Sequence, residues 1–218
     1  MESYVTLRRQ ASDEFVVQKS RFIGYCAPCE TEEEALAFLR AVRDKTRDAT
    51  HHCYAYVIGR NEGIMRYSDD GEPGGTAGLP ILEVMRGRRV VNGCVVVVRY
   101  FGGTLLGTGG LVRAYTQACR IALAAGETVC MEWTCRDLCE VPYPVWDSVR
   151  YALDRLPARA EELSFATAVS FTLLTRQKDR EQVLETLQKI TGRKLDFLPE
   201  SEGYASWELP ALQDDANE

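Results

Sequence analysis

The sequence predicts an α+β protein made of two consecutive domains, and three observations predict it. Apolar residues recur with period two in some segments and at helical spacing in others, so strands and helices are mixed along the chain. The final third reads β-α-β-β-α-β, a ferredoxin-like order. The charge balance also changes near residue 132. Residues 1–132 hold 16 Lys/Arg and 16 Asp/Glu, whereas residues 133–218 hold 10 and 16 and carry the whole net charge of −6. Two segments of different charge balance fit two domains, expected at 1–132 and 133–212. The acidic tail Gln213–Glu218 is expected to fray. A length of 218 residues, 45% apolar and 27% charged, suits one large or two small globular domains and excludes disorder, coiled coil and collagen.

The elements follow in order. Glu14–Gln18 and Arg21–Ala27 read as strands joined by a tight turn at Lys19-Ser20. Thr31-Glu-Glu-Glu34 is a capping box, and Ala35, Leu36, Phe38, Leu39 and Val42 form the apolar stripe of a helix running to about Lys45. Cys53–Gly59 and Ile64–Ser68 are expected strands around the turn Arg60-Asn-Glu-Gly63. Thr76–Gly87 can hold a short helix. Val90–Tyr100 is apolar at nearly every position, which implies a strand buried on both faces. Leu111–Ala125 is an apolar helix closed by Gly126. In the second domain Trp133–Val141 alternates as a strand, and Pro144 marks a helix start. Glu162–Leu174 is strand with a break near Phe165. A helix with Val183, Leu184, Leu187 and Ile190 on one face ends at Gly192, and Tyr204–Leu209 supplies a last strand.

Several functions are excluded at once. The longest uncharged runs fall well short of the roughly 20 apolar residues of a membrane helix, and the first residues lack the apolar core of a secretory signal. The expectation is a cytoplasmic protein. The eight cysteines are scattered, and Cys26-Ala-Pro-Cys29 lacks a second ligand pair at similar spacing, with Cys135/Cys139 a weak partner. Reduced, partly buried thiols and no bound metal or cofactor are therefore expected. The balance of −6 excludes a uniformly basic nucleic-acid binder while leaving local patches such as Arg86/Arg88/Arg89.

Chemistry concentrates between His51 and Tyr115. Asp69-Asp-Gly-Glu-Pro-Gly-Gly-Thr-Ala-Gly78 packs three acids and four glycines into ten residues, and Gly74-Gly75-Thr76 before a helix can present N–H groups to an anion. Phe101-Gly-Gly-Thr-Leu-Leu-Gly-Thr-Gly-Gly110 places Gly102, Gly103, Gly107, Gly109 and Gly110 between a buried strand and a helix, which suits a nest for phosphate or carboxylate. Arg99 and Arg113 flank that loop and are expected to close on the same anion. Tyr54, Tyr56, Tyr67, Tyr100, Phe101 and Tyr115 are aromatics beside the glycine loops, where unpaired bases can stack. His51 and His52 are neighbours on a strand, so one is expected in a polar cleft and the other exposed. With Asp69, Asp70 and Glu72 they form the nearest approach to a hydrolytic set. No G-x-x-x-x-G-K-[ST], G-x-S-x-G or H-E-x-x-H is present.

Four stretches then carry a resemblance. Lys19-Ser-Arg-Phe22, Ala49-Thr-His-His-Cys-Tyr-Ala55, the Asp69–Gly78 segment and Val96-Val-Val-Arg-Tyr-Phe-Gly-Gly-x-x-Leu-Gly107 resemble the signature stretches of the IMPACT/YigZ family. The resemblance implies an N-terminal domain similar to the second domain of ribosomal protein S5. It implies a ferredoxin-like C-terminal domain similar to the last domain of elongation factor G. Eukaryotic relatives regulate translation by binding a partner of an amino-acid-sensing kinase. Two functional readings stand. One is a non-enzymatic binding protein of RNA, the ribosome or a translation factor, using His51–Gly110 as its cleft. The other is a small-molecule, phosphate-ester or peptide hydrolase using His51, His52 and the Asp69–Glu72 acids.

Overall fold

In order, the N-terminal part forms β1 (Tyr4–Leu7), β2 (Ala11–Val17), β3 (Ser20–Pro28), α1 (Glu32–Lys45), β4 (His51–Ile58), β5 (Ile64–Ser68), α2 (Gly78–Gly87), β6 (Gly93–Tyr100) and α3 (Gly107–Gly126). These come from a computed structural model that describes residues 2–208. Strands β2-β3-β6-β4-β5 make one sheet, antiparallel throughout. The all-apolar sequence of β6 explains its central place, because Cys94–Val98 are fully buried. On one face, Val95 and Val97 meet Ile81, Met85, Leu111, Ala118 and Leu123 of α2 and α3. On the other, Cys94, Val96 and Val98 meet Ala35, Phe38, Leu39 and Val42 of α1. Thr31 caps α1 by accepting from the Glu34 N–H at 3.2 Å, while Glu34 accepts from the Glu30 N–H at 2.7 Å.

Three local expectations change. β1 is an additional strand, and its Val5 carbonyl accepts from the Val91 N–H at 2.9 Å. Helix α3 starts four residues before Leu111, so Gly107, Gly109 and Gly110 form its first turn instead of a loop. First-turn N–H groups need no intrahelical partner, and the apolar stripe beyond them supplies the packing that offsets the poor helix propensity of glycine. Gly126 is the last helical residue, and Glu127 takes the positive φ of 55° that glycine was expected to supply. A Cβ on Gly126 would lie 2.5 Å from the Cys26 sulfur, so close packing selects this glycine.

The second part comprises β7 (Thr128–Val141), α4 (Tyr143–Leu153), β8 (Ala158–Phe165), β9 (Val169–Arg176), α5 (Arg180–Ile190) and β10 (Asp196–Trp207). Its strands pair in the order β10-β7-β9-β8, with β7/β9 and β9/β8 antiparallel. Cys139, Val141, Phe171 and Leu173 pack one sheet face against Trp146, Val149, Val183 and Leu187. The described residues divide into two compact units, one of Tyr4–Cys130 with Ser206–Glu208 and one of Met131–Ala205 with Glu2–Ser3. The tail Gln213–Glu218 lies outside the described residues, as does Leu209, the expected end of the last strand. Among the described residues no helix is long and apolar enough to cross a membrane.

Candidate functional site

The strand pleat sorts the singled-out residues onto two faces. His51 pairs with Arg99 across β4 and β6, and both side chains point to the face that carries α2 and α3. His52, Tyr54 and Tyr100 point to the α1 face. The expected cleft is therefore split by the sheet itself.

On the α3 face the acids of the first glycine segment are already engaged. Glu72 Oε1 accepts from Arg99 at 2.7 Å and from the Tyr115 hydroxyl at 2.7 Å, and both side chains of the ion pair are about 95% buried. His51 donates Nδ1–H to the Asp70 carbonyl at 2.8 Å, which leaves Nε2 3.8 Å from Glu72 Oε1. Asp69 accepts from the N–H groups of Gly75, Ala77 and Gly78 at 2.8–3.0 Å and so caps α2 from a distance in sequence. Asp70 accepts from the His52 N–H at 2.7 Å and from Arg43 at 3.0 Å. Thr76 is buried and bonds back to the Pro73 carbonyl. Burial pushes the Cys53 thiol up to about 12, and it raises the Tyr115 hydroxyl as well.

His52 does not reach solvent as expected. It is buried, with Nε2 2.9 Å from Thr46 Oγ1 and 3.1 Å from the Thr46 carbonyl oxygen. Neither histidine is exposed, because α1 covers one face of β4 and the Asp69–Glu72 segment covers the other. Arg99 and Arg113 do not close on one anion either. Arg99 is held between the Phe22 and Phe101 rings, 5.4 Å from each, and is neutralised by Glu72. Arg113 lies exposed on α3. Cys26 and Cys29 belong to the cores on opposite faces, so they do not form a pair. Among the described residues no three His, Cys, Asp or Glu side chains are arranged to hold a metal ion.

Ser20 is the residue that sequence reasoning misses. Its fully buried hydroxyl accepts from the Gly102 N–H at 3.2 Å and lies 3.4 Å from Arg99, which ties the β2–β3 turn to the second glycine segment. A Cβ on Gly102 would collide with the Lys19 backbone carbonyl, so only glycine permits this approach. The signal for Ser20 in the sequence is its place inside Lys19-Ser-Arg-Phe22. Beyond Gly102 the segment opens out. A Cβ on Gly74, Gly75, Gly103 or Gly107 would meet nothing within 4 Å. Helix α3 starts at Leu106/Gly107 without a side-chain cap and without an acid in its first turn.

Fold and site together define a two-unit α+β protein whose N-terminal unit engages the Asp69, Asp70 and Glu72 carboxylates internally and carries two glycine-rich segments. Residues 18–123 match the family model described as the Impact N-terminal domain. The chain is 35% identical over 202 residues to the IMPACT family member YvyE of Bacillus subtilis, covering 90% of this chain and 91% of that protein. It is 42% identical over 159 residues to an IMPACT family member of Thermus thermophilus, covering 72% of this chain and 85% of that protein. A crystal structure described as that of an hypothetical protein superposes with a TM-score of 0.58 at 31% identity, over 92% of this chain and 98% of that one. The chain belongs to the IMPACT family.

Proposed function

We propose that this chain is a non-enzymatic binding protein linked to the regulation of translation. In this reading it takes RNA or the ribosome at the open glycine-rich start of α3. One observation carries the reading. The Arg113 guanidinium lies back over the first turn of α3, with Nη1 3.6 Å from where a Gly109 Cβ would be. An arginine at the positive end of a helix dipole is an unfavourable pairing unless an anion joins them, and the first turn contains no acid to do so. A phosphate fits both the free N–H groups and the guanidinium. The acids a hydrolase would need are meanwhile engaged by Arg99, Tyr115, Arg43 and backbone N–H groups.

The resemblance to eukaryotic translation regulators supports the same process, and a cytoplasmic location goes with it. The reading takes 1–132 as an S5 domain 2-like domain and 133–212 as a ferredoxin-like one. The element order β-α-β-β-α-β and the strand order β10-β7-β9-β8 support the second assignment. The test is co-sedimentation with ribosomes across a salt series. The wild-type chain should sediment at low salt and lose affinity steeply as salt rises. Arg113→Ala should flatten the log–log slope by roughly one unit. Failure to sediment at low salt overturns the reading, and a salt-independent association points instead to a protein factor.

A further inference from the structure

We propose that the groove between α2 and α3 is a binding track for the backbone of single-stranded RNA. It would continue the α3 start away from the glycine segment, so it rests on the function proposed above and adds a second location. The groove encloses about 410 Å³ and is lined by Glu83, Gly87, Arg88, Thr116 and Arg120 among others. Arg88, Arg89, Arg113 and Arg120 are all exposed, and none makes an ion pair among the described residues. Arg86, by contrast, is 3.7 Å from Glu62. Glu83 is the one carboxylate in the lining, against two guanidiniums.

The arrangement along α3 is a stripe. Arg113, Thr116 and Arg120 are three and four residues apart, so they share one face of the helix. Arg113 and Arg120 are about 10 Å apart along the axis. The C-terminal end of α2 adds Arg88 across the groove. A chain of phosphates entering at the first turn of α3 would thus meet Arg113 and then the Arg88/Arg120 pair. Near that entry, Phe101 is 46% exposed while its other side stacks on Arg99. A half-exposed ring at the start of a phosphate track suits an unpaired base. That favours single-stranded RNA over an acidic peptide, which has no base to stack.

The experiment uses the full chain and a fluorescein-labelled 12-mer of oligouridine, read by anisotropy across a salt series. Arg88→Ala/Arg120→Ala should weaken binding by at least roughly tenfold at low salt and reduce the log–log slope by about 1.4, for two lost phosphate contacts on a single strand. Both residues are exposed, so circular dichroism should match the wild type. Phe101→Ala should weaken oligouridine binding several-fold and leave the salt slope unchanged. If the double variant binds with the wild-type slope while Arg113→Ala does not, the groove is overturned and the α3 start stands. If the wild-type chain binds neither oligouridine nor ribosomes, both readings fall. If a polyglutamate peptide binds as tightly as oligouridine and Phe101→Ala has no effect, the ligand is an acidic peptide and the track for RNA is overturned.

Discussion

The Glu72–Arg99 pair shows how far one ion contact can reach through this molecule. Each side chain is nearly fully buried, so neither charge can fall back on water if its partner is lost. Glu72→Ala should therefore destabilise the protein by about 3–5 kcal/mol, the usual cost of orphaning a buried charge. Urea titration of the variant checks this. Replacing both partners, as in Glu72→Ala/Arg99→Met, should cost less than the sum of the single changes, because neither charge then remains buried alone. Additive losses would mean that the pair is not coupled. Both residues stand out in the sequence, but the sequence suggests other partners for them. Adjacency in the chain places Arg99 beside the glycine loop. The structure instead pairs residues 27 apart, and only the strand register that sets His51 opposite Arg99 reveals this. Tyr115 likewise looks in sequence like an aromatic beside the loop, yet its hydroxyl is the second donor to Glu72.

At the level of elements, what is legible depends on whether local chemistry decides the outcome. Helix α1 is readable because Thr31 and the three glutamates that follow settle its start within four residues. β6 is readable because a run of valines has few alternatives to a buried strand. The first turn of α3 is not, since four residues with three glycines look like a loop until Leu111–Leu123 are seen to anchor them on the sheet. The glycines divide by surroundings more than by sequence. Gly102→Ala would force a Cβ against the Lys19 backbone, whereas Gly74→Ala meets open space. The first should cost about 2 kcal/mol or more, by analogy with overpacked cores, and should also disturb the Ser20 contact. The second should be nearly neutral. Thermal melts of the two variants should separate clearly, and equal melting temperatures would contradict the close approach.

For the whole molecule, seven of the eight cysteines are buried, and that burial sets a limit at high pH. Burial raises Cys26 to about 11 and Cys29, Cys53 and Cys139 to about 12, from an ordinary 9.0. Between those values the unfolded chain releases protons that the folded chain keeps. Stability should thus be level up to about pH 8.5 and fall as pH rises from 9 towards 12. The urea midpoint measured across that range tests this, and a midpoint unchanged at pH 11 would contradict it. The expectation of two domains meeting near residue 132 rests on the charge shift there, which is a property of composition. Where strand pairs form is not legible in composition, because pairing order is decided by which faces must be covered.

That pairing order has a consequence for how the protein is made. β6 lies in the middle of its sheet, between β3 and β4, yet it is the last of the five strands to be synthesised. Until residue 100 has left the ribosome, β3 and β4 each lack the neighbour that joins them. Cys26, Phe22, Cys53 and Val57 also wait for α3, which ends at Gly126, before that face is covered. At bacterial and eukaryotic synthesis speeds this leaves strand edges and apolar side chains open for roughly 5–20 s. The nascent N-terminal half is thus exposed to mispairing over that interval, and a pause placed before residue 93 would lengthen it, whereas a pause after residue 126 would give the sheet time to close.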